Sequence, residues 1–100
     1  MVRHVIVWKL KEEYTAEEKE TIKRGIREGL EGLKGQIPGL CEIRVLTAGL
    51  PSSNGDLMLD SLFEDEQALK GYSVHPAHVA VANGKVRPYT QTRSCFDYEV

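Results

Sequence analysis

A chain of 100 residues, with 41% hydrophobic and 28% charged residues, has the size and composition of one globular domain spanning residues 1–100. Its 13 Lys and Arg are interleaved with 15 Asp and Glu, giving a net charge of −2 and no basic stripe, so no nucleic-acid partner is expected. No apolar run nears the roughly 20 residues that span a bilayer, and the start lacks a secretion signal, so no membrane partner and a cytoplasmic location are expected. Cys41 and Cys95 form no CxxC pair and are expected as reduced, half-buried strand thiols.

Val2 to Lys11 is rich in β-formers, with His4, Ile6, Trp8 and Leu10 on one face and Arg3, Val5, Val7, Lys9 and Lys11 on the other. Apolar residues on both faces predict a central strand. Thr15-Ala16-Glu17-Glu18 is a capping box that opens a helix running to about Lys34. Ile22, Ile26, Leu30 and Leu33 form its apolar stripe. Gly25, Gly29 and Gly32 lie on a neighbouring line. They either admit another backbone closely or are neutral. Gly35 and Pro38-Gly39 end the helix and turn the chain.

Leu40 to Thr47 alternates Cys41, Ile43 and Val45 against Glu42, Arg44 and Leu46, a pattern that suits an edge strand. Asn54-Gly55 is a strong turn pair in the following loop. Leu57 to Phe63 is a third strand, with Leu57, Leu59, Ser61 and Phe63 sharing a face. Asp65 is expected to cap a short helix that carries Ala68, Leu69 and Tyr72 inward. Pro76 suits the first turn of a further helix, which Gly84 is expected to end before Pro88. Thr90 to Val100 alternates Thr92, Ser94, Phe96, Tyr98 and Val100 against Arg93, Cys95, Asp97 and Glu99.

The order β-α-β-β-α-β predicts a ferredoxin-like α+β fold. Right-handed crossovers then give one antiparallel sheet in the order 4-1-3-2. Its helices cover one face. The open face carries Val5, Val7, Met58 and Leu62, with Ile43 and Val45 as further candidates. Lone subunits avoid such a patch, so a homodimer packed through the open sheet face is expected.

The chemistry concentrates in Tyr72-Ser-Val-His-Pro-Ala-His78. His78 falls near the start of the helix begun by Pro76. The positive helix end there disfavours an imidazolium and suits a neutral general base. Tyr72 is placed to offer a phenolic donor to a developing enolate. The competing reading makes His78 a helix cap and Tyr72 a core plug. His4, Ile6, Trp8 and Leu59 line either a ligand pocket or a filled core, with Leu10, Phe63 and Phe96 as further apolar walls. His75 joins that pocket or caps its helix. No carboxylate or cysteine is spaced with His4, His75 and His78 as in a metal motif, so no metal is expected. No phosphate loop or nucleophile elbow is present, and no cofactor is expected.

Nearly the whole chain resembles the stress-responsive A/B barrel domain family. The resemblance lies in Arg3-His-Val-Ile-Val-Trp-Lys-Leu-Lys11, Ile37-Pro-Gly39, Phe63-Glu-Asp65, His75-Pro-Ala-His78 and Phe96-Asp-Tyr98. It implies a homodimeric α+β barrel. Most members have no assigned activity. One plant member is a polyketide cyclase that closes its thioester substrate by a cofactor-free aldol reaction. The residues matching its acting pair are Tyr72 and His78, and its first-strand histidine matches His4. A further pocket histidine on its third strand appears here as Leu57.

Three readings follow: a domain binding a small hydrophobic ligand, a cofactor-free cyclase or lyase, and a cofactor-free monooxygenase of the kind a related barrel family contains. An open cavity reached by both Tyr72 and His78 separates a working site from a packed core.

Overall fold

The computed structural model describes residues 1–100 and orders them as β1 (Val2–Leu10), α1 (Ala16–Glu31), β2 (Leu40–Leu46), β3 (Leu57–Phe63), α2 (Glu66–Val74), α3 (Pro76–Val81) and β4 (Thr90–Glu99). The strands form one antiparallel sheet in the order β2-β3-β1-β4, which is the expected ferredoxin-like topology. No helix is long and apolar enough to cross a membrane.

Register decides which side chains meet. On β1, His4 lies opposite Ser61 of β3 and Asp97 of β4, while Ile6 lies opposite Leu59 and Cys95. The even-numbered residues of β1 therefore face the helices and are buried. Of these, Ile6, Trp8 and Leu10 join Leu57, Leu59 and Phe63 of β3 and Ile26, Leu30 and Leu33 of the α1 segment in one core.

The capping box of α1 forms as expected. The Glu18 N–H donates to Thr15 Oγ1 at 3.1 Å, and the Thr15 N–H donates to Glu18 Oε1 at 2.8 Å. The α-helix stops at Glu31 rather than Lys34. Bonds spanning three residues, such as Leu33 N–H to Leu30 O at 3.1 Å, tighten the chain there and keep Leu33 buried. Glu31 Oε2 also accepts the Val45 N–H of β2 at 2.9 Å. Of the aligned glycines, Gly29 has a packing role: a Cβ there would lie 2.9 Å from Val81 Cγ1 of α3. Gly25 has nothing within 4 Å.

Five expectations change. Ile43 and Val45 do not belong to the open face. They pair with Ser61 and Leu59 across β3, share the helix-side face with them, and are 8% and 4% exposed. Phe96 is not a wall of the helix-side pocket. It lies opposite Val5 and projects from the open face, 70% exposed. Cys95 is exposed rather than half-buried. Gly84 does not end its helix. The chain runs on through a wide π-helical turn, Ala82–Val86, in which the Arg87 N–H reaches back to Ala82 O at 2.9 Å. Burial of Ala82 and Val86 holds that turn against the core. Asn54-Gly55 makes no hairpin turn of the type that needs positive φ, since positive φ is confined to Gly35 and Gly39.

Gly39 carries the sharpest local demand. Its φ is +79°, and a Cβ there would sit 2.4 Å from Ala68 Cβ of α2. The left-handed backbone costs an L-residue about 1–2 kcal/mol, and the forced contact adds about 1–3 kcal/mol. Gly39→Ala is therefore expected to lower stability by about 2–4 kcal/mol in urea denaturation. A loss below about 0.5 kcal/mol would contradict this packing.

Candidate functional site

A cavity of about 360 Å³ lies between the helix side of the sheet and the helices. That is large enough for a small ligand. His4, Ile6, Trp8, Leu59, Tyr72 and His78 all line it, so six of the seven expected site residues come together. Leu30, Ala82, Val86 and Thr90 complete much of the wall, and Arg87 and Arg93 also border it.

Local sequence explains how Tyr72 and His78 meet. Asp65 Oδ1 accepts the Ala68 N–H at 2.8 Å and starts α2, which brings Tyr72 inward in its last turn, 1% exposed. His75 precedes Pro76 and is extended (φ −66°, ψ 131°), ending α2 and beginning α3. His78 then folds back onto Tyr72, with ring centroids 4.0 Å apart and planes at 30°. The Tyr72 ring also meets Phe63 edge-on at 5.0 Å. His75 itself stands outside the cavity. Its Nδ1 accepts the Ala77 N–H at 3.1 Å, which is the capping alternative. Leu57, at the position of the cyclase's further histidine, is a buried core residue outside the lining.

His4 is held by a residue that sequence reasoning left unassigned. Its Nδ1 donates to Asp97 Oδ1 at 2.5 Å across the β1–β4 ladder. Its other ring nitrogen makes no hydrogen bond within the chain. Cys95 Sγ donates to the same carboxylate oxygen at 3.4 Å. Burial and the Asp97 carboxylate raise the Cys95 pKa, so it remains a thiol. His4, Cys95 and Asp97 form the chain's one trio of potential metal-ligating side chains; His4, His75 and His78 do not form one. The His4–Asp97 separation is that of a hydrogen bond, shorter than the roughly 3.3 Å between two ligands of one tetrahedral zinc.

The acid–base character of the stacked pair is set chiefly by burial. Burial raises the Tyr72 phenol well above its ordinary value, with the positive Arg93 opposing. Burial lowers the His78 imidazole below its ordinary value; the Ser73 carbonyl opposes this, and Arg87 adds to it. Near neutral pH the site thus holds a protonated phenol and a neutral imidazole. Tyr72 Oη and His78 Nδ1 are also the two buried side-chain polar atoms without a hydrogen-bond partner.

The model of the stress responsive A/B barrel domain matches residues 2–100. The chain belongs to this family. Its A/B barrel fold is close to that of a dimeric ferredoxin-like protein of unknown function from Bacteroides fragilis, at 29% identity and TM-score 0.91, covering 99% of this chain and 95% of that one. A hydroxynitrile lyase from Passiflora edulis has the fold at 16% identity and TM-score 0.73, covering 97% and 90%. A putative antibiotic biosynthesis monooxygenase from Nitrosomonas europaea does so at 12% identity and TM-score 0.76, covering 100% and 98%. Among curated proteins, none matches this A/B barrel domain.

The lowered pKa of His78 gives the domain a testable pH response. An unfolded histidine titrates near about 6.5, so below that pH the unfolded chain binds a proton that folded His78 resists. This contribution to stability is complete above about pH 6.5 and declines as pH falls through the lower folded value. In denaturation series from pH 7 to 5, His78→Gln is expected to flatten the decline relative to wild type. An unchanged slope would show that His78 is not the group responsible.

Proposed function

We propose that the chain forms a homodimer through its open sheet face and binds a small hydrophobic ligand in the cavity under its helices. The observation that carries the ligand reading is that Tyr72 and His78, each with a buried polar atom lacking a partner, line the same ligand-sized cavity. Buried polar groups ordinarily find partners, and a carbonyl compound can meet both: its oxygen accepts from the phenol, and its acidic C–H approaches the imidazole. Ile6, Trp8 and Leu59 supply apolar surface for the rest of the molecule, and His4, fixed by Asp97, adds another polar contact.

The dimer reading draws on register. Val5, Val7, Met58 and Leu62 face away from the helices, beside the exposed Leu46, Phe96 and Tyr98. Arg3 and Asp60, 2.8 Å apart, form a charged group on the same face, joined by Arg44 at 3.3 Å from Asp60. An apolar patch of this kind favours a covering surface. The dimeric state of the Bacteroides fragilis relative supports a two-subunit assembly. Sedimentation is expected to give twice the 11.2 kDa chain mass. Phe96→Asp, which alters an exposed residue, is expected to release folded single subunits. A wild-type chain that sediments as a lone subunit would overturn the assembly.

A cofactor-free cyclase or lyase is the second reading, favoured by the opposite pKa shifts of the stacked pair. His78 would take a proton from the carbon next to a carbonyl. The C–H electron pair would move into a new C=C bond, and the carbonyl electrons would pass to oxygen, where the Tyr72 O–H stabilises the enolate. The lyase among the fold relatives lends support at the level of fold. The monooxygenase reading rests on fold likeness alone.

Exchange of the α-protons of phenylacetone in D2O, followed by NMR, tests this step. Wild type is expected to exceed buffer, and His78→Gln and Tyr72→Phe each to lose about 100-fold or more of the excess. Equal rates in wild type and variants would remove both residues from the chemistry.

A further inference from the structure

Two arginines border the cavity, and the sequence singles out neither. Arg93 lies on β4 opposite Trp8. Arg87 follows the wide turn whose Ala82 and Val86 form part of the wall. Both side chains keep contact with solvent. No carboxylate is present among the 13 residues that line the cavity.

Neither arginine is paired with an acid. The arginines in ion pairs are Arg3, Arg27 and Arg44. Arg87 bonds only the neutral side-chain amide of Asn83. Asp97, four residues along the strand from Arg93 and on the same face, is held by His4 and Cys95. Both guanidiniums are close enough to act on the reactive pair: Arg87 favours the neutral form of His78, and Arg93 favours the ionised form of Tyr72. The cavity lining thus combines apolar side chains with two guanidiniums and no carboxylate, an arrangement that concentrates an anion.

We infer that the ligand is an apolar carbonyl compound bearing a carboxylate, which Arg87 and Arg93 hold at the rim while the apolar body lies along Ile6, Trp8 and Leu59. This rests on the ligand-binding reading above and names the chemical class that site accepts. A guanidinium offers parallel N–H donors that match the two oxygens of a carboxylate, and these charged hydrogen bonds are stronger than neutral ones. A carboxylate fixed at the border also limits where the rest of the molecule can go, and so positions its carbonyl against Tyr72 and His78. A cationic ligand meets like charge at the entrance.

Trp8 is the only tryptophan and lines the cavity, so its indole N–H signal in NMR is a built-in reporter. The chain is titrated with 4-oxo-4-phenylbutanoate and separately with the corresponding neutral amide. The acid is expected to bind about tenfold more tightly. Raising salt from 50 to 500 mM is expected to narrow the gap.

In the double variant Arg87→Gln/Arg93→Gln the preference is expected to fall to within about twofold. Arg24→Gln, away from the cavity lining, is expected to keep it. The Trp8 signal of the unliganded double variant reports whether the fold survives. Equal affinity of acid and amide for wild type would overturn the carboxylate assignment and leave the cavity as a site for neutral ligands. A preference that persists in the folded double variant would also overturn it. If neither compound moves the Trp8 signal at millimolar concentration, the ligand-binding reading falls as well.

Discussion

The hydrogen-bonded register of β1 governs this molecule. β1 lies between β3 and β4, and a one-residue slip would exchange its two faces. His4, Ile6, Trp8 and Leu10 would then leave the helices, and Arg3, Val5, Val7 and Lys9 would replace them. The same register brings Asp97 opposite His4, Leu59 opposite Ile6 and Phe96 opposite Val5. The site under the helices and the apolar face on the other side are thus consequences of one pairing.

Much of this was legible in the residues. Alternation located all four strands, the Thr15–Glu18 box and Asp65 located two helix starts, and Pro76 located a third. Alternation fixes a period but not a phase. That is why Ile43 and Val45 were offered to the wrong side of the sheet and Phe96 to the wrong wall. Only pairing across β3 and β1 sets their direction. Irregularities between Leu40 and Glu42 and between Lys9 and Leu10 make the count along each strand less dependable still. Gly84 misled for a different reason. Glycine marks helix ends by its freedom of φ, but here the burial of Ala82 and Val86 on either side carries the chain through it.

Within the site, Tyr72 and His78 were readable because they lie close together in sequence on either side of a proline. Asp97 was not, because it is 93 residues from His4 and meets it only through the sheet. The cation pair at the border was hidden similarly: Arg87 and Arg93 look like ordinary surface charges until the cavity between them is seen. Short-range chemistry survives in the order of residues, whereas long-range chemistry has to be assembled by topology.

Tyr72 and His78 also set a tension between packing and use. An orphaned buried hydroxyl or imidazole nitrogen costs stability, on the order of 1–3 kcal/mol for each. The surrounding Phe63, Leu59 and α1 core tolerates that cost, and a bound molecule able to bond both atoms would recover part of it.

The bond from the Val45 N–H to Glu31 Oε2 has a wider consequence. β2 is an outer strand, and an outer strand with free amides can recruit a strand from a neighbour and seed a filament. Here one such amide is already engaged by an anionic side chain from the same subunit. Edgewise growth at that point would have to break this bond and set an incoming backbone carbonyl beside a carboxylate, which disfavours strand addition there.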